Sequence, residues 1–266
     1  VDGEGRVALD DLGKAIRPDT TLVSIQAANN EVGTIQPVAA LGALCRQRGV
    51  VFHTDAVQWF GKEPFADIHQ FNADLVSGCA HKFHGPKGAG FLFIRSPLLP
   101  DPILFGGGHE NERRAGTENL AAIVGLVEAM ERFVPEPVFS GIHLAPLTER
   151  LKTTLRRLPD TVLVGAQEGH LTNTVAFLVD GADSIALLAN LDLEGICASS
   201  GSACSAGSLE PSHVISALGV APNLANSLVR FSLGRKNNQS EVDHVSQVMP
   251  SVLQRAKRMK GAGLNR

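Results

Sequence analysis

The segment Asp74-Leu-Val-Ser-Gly-Cys-Ala-His-Lys-Phe-His-Gly-Pro-Lys-Gly88 begins as a buried strand and ends as a polar turn. Its opening apolar run is too short for a helix, and Gly85-Pro86 and Gly88 close the turn that follows. Cys79, His81 and Lys82 stand in that turn. A lysine at the carboxyl end of a buried strand is badly placed for packing. Lost solvation there favours the neutral amine, which forms a Schiff base with a carbonyl. Pyridoxal phosphate is the carbonyl cofactor that most often uses such a lysine. The competing reading is a surface turn with a solvated lysine and two incidental histidines, and this segment alone does not separate the two.

Outward from it, strands alternate with helices. Residues 9–16 read as a short helix and 21–26 as a strand. Pro37 starts a helix that Gly49 ends, with Val38, Leu41, Leu44 and Cys45 at helical spacing. Strands follow at 50–52 and 74–77, with a weak helix at 65–71 between them, and a fourth strand at 89–94. Apolar rather than alternating strands, interleaved with helices, predict a parallel α/β sheet whose ligands bind at the carboxyl ends of its strands. Three successive ends carry polar groups. They are Asn29 and Asn30, then His53 and Asp55 with Gln58 one turn on, then Cys79, His81 and Lys82. Each alone reads as a cap or turn residue. Together on one edge they read as a site.

Gly106-Gly-Gly-His-Glu-Asn-Glu-Arg-Arg-Ala-Gly-Thr117 precedes an apolar helix at 120–133. Thr117 reads as its N-cap, and a helix start fronted by glycines and two arginines is also a phosphate seat. Residues 134–141 read as a linker, which predicts a larger domain over 1–133 and a smaller α/β domain over 134–266. The second has a leucine-striped helix ending at Pro159, a helix at 183–193, and strands at 162–164, 173–179, 196–198 and 228–232. Ser240-Glu-Val-Asp243 reads as a capping box opening a terminal amphipathic helix that Pro250 kinks.

The chain has 266 residues, 44% of them hydrophobic, enough to bury one large core or two smaller ones. A formal net charge of −3 gives no electrostatic case for nucleic acid or an anionic membrane surface, and no apolar run is long enough to span a bilayer. Cys45, Cys79, Cys197 and Cys204 are scattered without C-x-x-C spacing, which fits free thiols in a reducing cytoplasm.

Ser199-Ser-Gly-Ser-Ala-Cys-Ser-Ala-Gly-Ser208 is the second centre. Cys204 sits there in a Ser/Gly loop where packing gives it no place, as an accessible thiol for nucleophilic or sulfur-transfer chemistry. Cys197, beside Ile196, and Cys45, on an apolar helix face, read as core residues. Arg230 is a charge inside a strand pattern and needs an anion, either a substrate carboxylate held bidentately or an internal acid.

These motifs resemble the cysteine desulfurases of the NifS/IscS type, within the class V aminotransferase family. The resemblance rests on Ala-Asn-Asn-Glu-Val-Gly-Thr-Ile-Gln-Pro (28–37), Phe-His-Thr-Asp-Ala-Val-Gln (52–58) and Ala-His-Lys-Phe-His-Gly-Pro-Lys-Gly (80–88). It continues through Gly-Gly-Gly-His-Glu (106–110), Gly-Thr-Glu-Asn (116–119), Ser-Ser-Gly-Ser-Ala-Cys (199–204), Ser-Leu-Glu-Pro-Ser-His-Val (208–214) and Arg-Phe-Ser-Leu-Gly-Arg (230–235). It implies the aspartate aminotransferase-like fold of pyridoxal phosphate-dependent transferases: a mostly parallel sheet with helices on both faces, plus a smaller α/β domain. By the same resemblance Lys82 holds the cofactor and moves the substrate α-proton, and Asp55 pairs with the pyridinium nitrogen. Asn30 and Gln58 bond the ring-hydroxyl region, and Cys79 and His81 contact the phosphate. Thr117 reaches the phosphate of the partner subunit in a homodimer, and Arg230 binds the carboxylate of L-cysteine. Cys204 takes the sulfur as a persulfide, leaving alanine, and passes it to an IscU/NifU-like iron–sulfur scaffold, with which it shares a transient metal ligand role.

The resemblance departs in two places. The family has Ser where Cys79 stands, a better hydrogen-bond donor toward phosphate. The family also has a segment ahead of the position of Val1, with a Thr-containing phosphate loop and a His that stacks on the ring. Three other readings compete. One is a selenocysteine lyase or another class V aminotransferase. A second is an inactive chain acting as a binding module. The last is a metal site from Cys79, His81 and His84.

Overall fold

The computed structural model describes residues 1–139, 141–201 and 211–263. They fall into two compact units. One comprises Leu9–Ala27 and Gln36–Val138; the other comprises Val1–Ala8, Ala28–Ile35 and Phe139–Arg266.

The first unit runs α1 (Leu9–Ala15), β1 (Leu22–Gln26), α2 (Val38–Gln47), β2 (Val51–Asp55), a 3-10 turn at Ile68–Phe71 and β3 (Leu75–Cys79). A second 3-10 turn at His81–Phe83 follows, then β4 (Gly90–Ile94), α3 (His109–Glu112) and α4 (Leu120–Phe133). The sheet order is β1-β2-β3-β4, parallel across the first three strands and antiparallel at β4. Burial alternates along β2 and β3 instead of covering both faces: Phe52, Thr54, Val76 and Gly78 point inward. His53, Asp55, Ser77 and Cys79 lie on the opposite face. That polar face is why the strands are not apolar throughout.

The inward face is aromatic. Phe60 meets the rings of Phe65, Phe71, Phe83 and Phe91 at 5.0, 6.3, 6.5 and 5.3 Å. Gly78 makes room for this: a Cβ there would stand 2.3 Å from the Phe91 ring. Leu41 and Cys45 of α2 are fully buried, as Cys45's apolar spacing predicts, and Gly42 lets that helix close on the Asn72 carbonyl. The weak helix at 65–71 is the shorter 3-10 turn Ile68–Phe71, capped by Asp67. Asn119, not Thr117, caps α4, accepting the Ala122 N–H at 3.1 Å.

The second unit contains α5 (Gly141–Arg157), β5 (Thr161–Val164), β6 (Thr174–Val179), α6 (Ser184–Leu193), α7 (His213–Ala217), α8 (Pro222–Ala225), β7 (Val229–Ser232) and α9 (Gln239–Gly263). Its sheet, β5-β6-β7, is antiparallel, and every residue of β6 is buried. Leucines of α5 and α6 pack with Phe177, Phe231, Met249 and Val252 in the main core. Val32, from the 28–35 segment, joins a second cluster with Ala176, Leu178, Ile215 and Leu228. That segment is a tight turn: Asn29 Oδ1 accepts from the N–H groups of Glu31 and Val32 at 2.8 and 2.9 Å.

Three local expectations change here. Residues 196–198 are not a strand; Ser199 alone pairs with Arg230, exchanging backbone bonds of 3.1 and 2.7 Å. Without strand neighbours, Cys197 is exposed rather than core. The capping box lies two residues earlier than Ser240. Glu241 N–H donates to Asn238 Oδ1 at 3.2 Å, and Asn238 N–H donates to Glu241 Oε2 at 3.1 Å. Among the described residues no helix is long and apolar enough to cross a membrane.

Candidate active site

In the first unit, three parallel strands bring their carboxyl ends to one edge. Asp55 closes β2, and its register partner on β3 is Ser77, two residues before Cys79. Asp55 is exposed, and its Oδ1 accepts the Val57 N–H at 2.9 Å, which fixes one carboxylate oxygen. The second oxygen has no hydrogen bond among the described residues.

The chain leaves β3 through Ala80 and turns in the 3-10 segment His81–Phe83. Phe83 and Gly85 donate back to the Ala80 carbonyl at 3.1 and 2.9 Å, and His84 takes φ 68°. A Cβ at Gly85 would stand 2.6 Å from Ala80 Cβ, so the turn closes only on glycine. This turn leaves His81 exposed and Lys82 half-buried, with no salt-bridge partner for Lys82 among the described residues. Burial pushes the Cys79 thiol up. The Lys82 and His81 backbone N–H groups and the Lys82 charge oppose that shift, which places the sulfur before the amides of the turn.

His53 lies inside β2, bridging three strands. Its Nδ1 bonds Ser24 Oγ at 2.7 Å and its Nε2 bonds Ser77 Oγ at 2.9 Å. Burial lowers its affinity for a proton below the ordinary histidine value, while the Asp55 charge works the other way. It is therefore a strap beneath the edge, a role that its position beside Asp55 did not reveal. Gln58 follows one turn after Asp55, and its Oε1 accepts from Lys62 Nζ. Thr117 is exposed ahead of α4. Among the described residues no three His, Cys, Asp or Glu side chains group around a metal position, so Cys79, His81 and His84 do not form one. The His84 ring instead meets Phe133 at 5.8 Å.

The second unit holds another set. Arg230 on β7 donates through Nη1 to the Asn30 carbonyl, while its buried Nε–H has no partner among the described residues. Burial lowers the proton affinity of this guanidinium, and the Glu31 charge opposes the shift. An unsatisfied buried guanidinium N–H is costly, and a carboxylate ligand supplies what it lacks. Glu31 and Ser212 were not singled out by sequence reasoning; the one signal was an acid in an otherwise uncharged stretch, 28–37. Cys204 lies outside the described residues.

The donor set fits a pyridoxal phosphate-type group. A half-buried amine with no ion-pair partner among the described residues suits an aldehyde, a strand-end carboxylate suits a protonated ring nitrogen, and turn amides with an imidazole suit a phosphate.

Comparison with known proteins agrees. The aminotransferase class-V profile matches residues 1–245. A curated relative, the cysteine desulfurase IscS of Methanosarcina thermophila, is 44% identical over 97% of this chain and 64% of its own length. The cysteine desulfurase IscS of Clostridium botulinum is 40% identical over 97% of this chain and 66% of its own. The chain thus spans just under two thirds of these relatives. A solved NifS-like protein superposes with a TM-score of 0.86 at 36% identity, covering 96% of this chain and 67% of that one. The NifS-like protein of Rickettsia africae gives 0.86 at 30% identity, over 96% and 68%. The α/β architecture is that of these pyridoxal phosphate-type transferases, and with the profile extending over nearly all of the sequence, the chain belongs to the aminotransferase class-V family.

Proposed function

We propose that this chain carries the chemistry of an L-cysteine desulfurase with pyridoxal phosphate as cofactor. The observation that carries the proposal is Lys82, half-buried at the carboxyl end of a parallel strand with no salt-bridge partner among the described residues. Relatives named cysteine desulfurase at 40% and 44% identity support the substrate.

In this reading Lys82 Nζ would hold the cofactor and would carry the proton to and from the substrate α-carbon. Asp55 holds a proton at the ring nitrogen, while Asn30 and Gln58 orient the ring hydroxyl. His81, Cys79 and the turn amides seat the phosphate, and Thr117 serves the phosphate of the partner subunit. Arg230 holds the substrate carboxylate. When bound, the cofactor supplies an electron sink that weakens bonds at the amino acid's α and β carbons. The Cys204 thiolate attacks the sulfur of L-cysteine: an S–S bond forms, the C–S bond breaks, and the β-carbon takes a proton. L-Alanine leaves, and Cys204 keeps the sulfur as a persulfide. An iron–sulfur scaffold protein is the proposed acceptor, with Cys204 a transient ligand in the handover.

A homodimer belongs to the same proposal. Ile103, Phe105 and Leu120 are 90%, 84% and 70% exposed in the first unit, apolar surface that a second copy would cover. Cytoplasmic placement rests on the free thiols of Cys45, Cys79 and Cys197.

Cys204→Ala tests the reading. The variant is expected to bind cofactor and L-cysteine as the parent does and to release no sulfide in the presence of a dithiol. Sulfide release at the parental rate would refute Cys204 as acceptor.

A further inference from the structure

Glu31 is 2% exposed, yet it is an acid in a turn and makes no salt bridge within 4 Å among the described residues. A carboxylate is kept at such a place only if it is bonded and faces positive charge. Three neighbours supply this, all within the second unit. Ser212 Oγ–H donates to Glu31 Oε2 at 2.6 Å, and the same Ser212 oxygen accepts the Val214 N–H at 3.1 Å, so it caps α7 while bound to the acid. Gly201, buried at φ 64°, lies so close that a Cβ on it would stand 3.1 Å from Glu31 Oε2. The Arg230 guanidinium donates to the carbonyl of Asn30, the residue before Glu31, whose charge favours its protonated form, and the Arg230 backbone is tied by two bonds to Ser199.

Gly201 and Ser212 are the residues on either side of the 202–211 stretch that includes Cys204. We propose that Glu31 is a positioning residue, one buried carboxylate that fixes Arg230 and both roots of the Cys204-bearing stretch. This deepens the proposed function and rests on it for the meaning of Arg230 and Cys204. The Ser212 bond to Glu31 and the close approach of Gly201 stand without it. The physical consequence is that the clamp for the substrate carboxylate and the two residues flanking the Cys204-bearing stretch share one anchor. A change at Glu31 therefore moves substrate affinity and the loop roots together. A residue serving only to cap α7 would move the Ser212 root alone.

The test is hydrogen–deuterium exchange on the full 266-residue chain, parent against Glu31→Gln, Glu31→Asp and Ser212→Ala, with L-alanine binding measured in the presence of pyridoxal phosphate. Glu31→Gln keeps the acceptor for Ser212 and removes the charge. It is expected to speed exchange about tenfold in peptides at both 199–201 and 212–216, and to weaken L-alanine binding by a similar factor, leaving cofactor uptake unchanged. Glu31→Asp restores the charge and is expected to recover most of both effects. Ser212→Ala is expected to loosen its own root with little change in L-alanine affinity. Parental exchange at 199–201 in Glu31→Gln would overturn the proposal, as would unchanged L-alanine affinity in a chain that binds it. A parent that takes up no cofactor, with both roots still loosened by Glu31→Gln, refutes the function and leaves the anchor standing.

Discussion

Burial pushes the Glu63 carboxyl up to about 7, only partly offset by the neighbouring Lys62 charge. A raised folded value means the neutral acid stabilises the fold at low pH, and that this contribution is lost as pH rises from the ordinary carboxylate range through about 7. Glu63→Gln removes the titration. Partial solvent access screens the effect, so the variant is expected to gain about 1–2 kcal/mol over the parent at pH 8 and almost nothing at pH 4.5. Urea denaturation at the two pH values checks this; equal gains at both would contradict it. His53 acts in the opposite sense, its depressed value withdrawing stability as pH falls below the ordinary histidine range, and that effect cancels between parent and variant. Single residues were legible in the sequence where chemistry made them conspicuous. Lys82 and Asp55 stood out because charged groups at strand ends have no packing reason to be there, and the structure does place them at the ends of β3 and β2. Cys197 was misread because a thiol beside Ile196 looks buried until the strand expected around it proves absent. Glu31 was missed because an acid beside two asparagines looks solvated, and only the fold buries it.

At the scale of elements, helix starts show how a local signal is displaced by a better one nearby. Ser240 and Thr117 both had the right chemistry for an N-cap, but Asn238 and Asn119 hold the positions. Asn ranks among the strongest N-cap residues, its amide oxygen accepting from the first-turn N–H groups. Ser240 donates its own hydroxyl to Asn238 Oδ1 at 2.6 Å, supporting the cap rather than forming it. Asn238→Ala is therefore expected to cost about 1 kcal/mol by removing the reciprocal bonds with Glu241, and Ser240→Ala clearly less. Thermal or urea unfolding of the two variants decides the order; a larger loss for Ser240→Ala would move the cap back to Ser240. Most strands were placed to within two residues because short apolar runs bounded by Gly, Pro and Asn admit little else, but β2 runs on to Asp55 and the strand expected at 196–198 is absent. Their direction was less visible. The mark of an antiparallel β4 is the connection itself: only residues 80–89 separate it from β3, short for a parallel crossover.

For the whole molecule, the order of strands and helices carried the fold class, and the profile and structural matches agree with it. The membership of residues 1–8 and 28–35 in the same unit as 139–266 was not legible. It depends on contacts such as Val32 with Ala176 and Leu178, across some of the longest separations in the chain. The account as a whole stands on Lys82 as the residue that binds a carbonyl cofactor. The direct measurement is to add pyridoxal phosphate to the 266-residue chain, record the visible spectrum, reduce with borohydride and map the labelled peptide. A visible band fixed by reduction on Lys82, and absent from Lys82→Ala, is the expected result. No band, or a label on Lys87 or another lysine with Lys82 untouched, would contradict it.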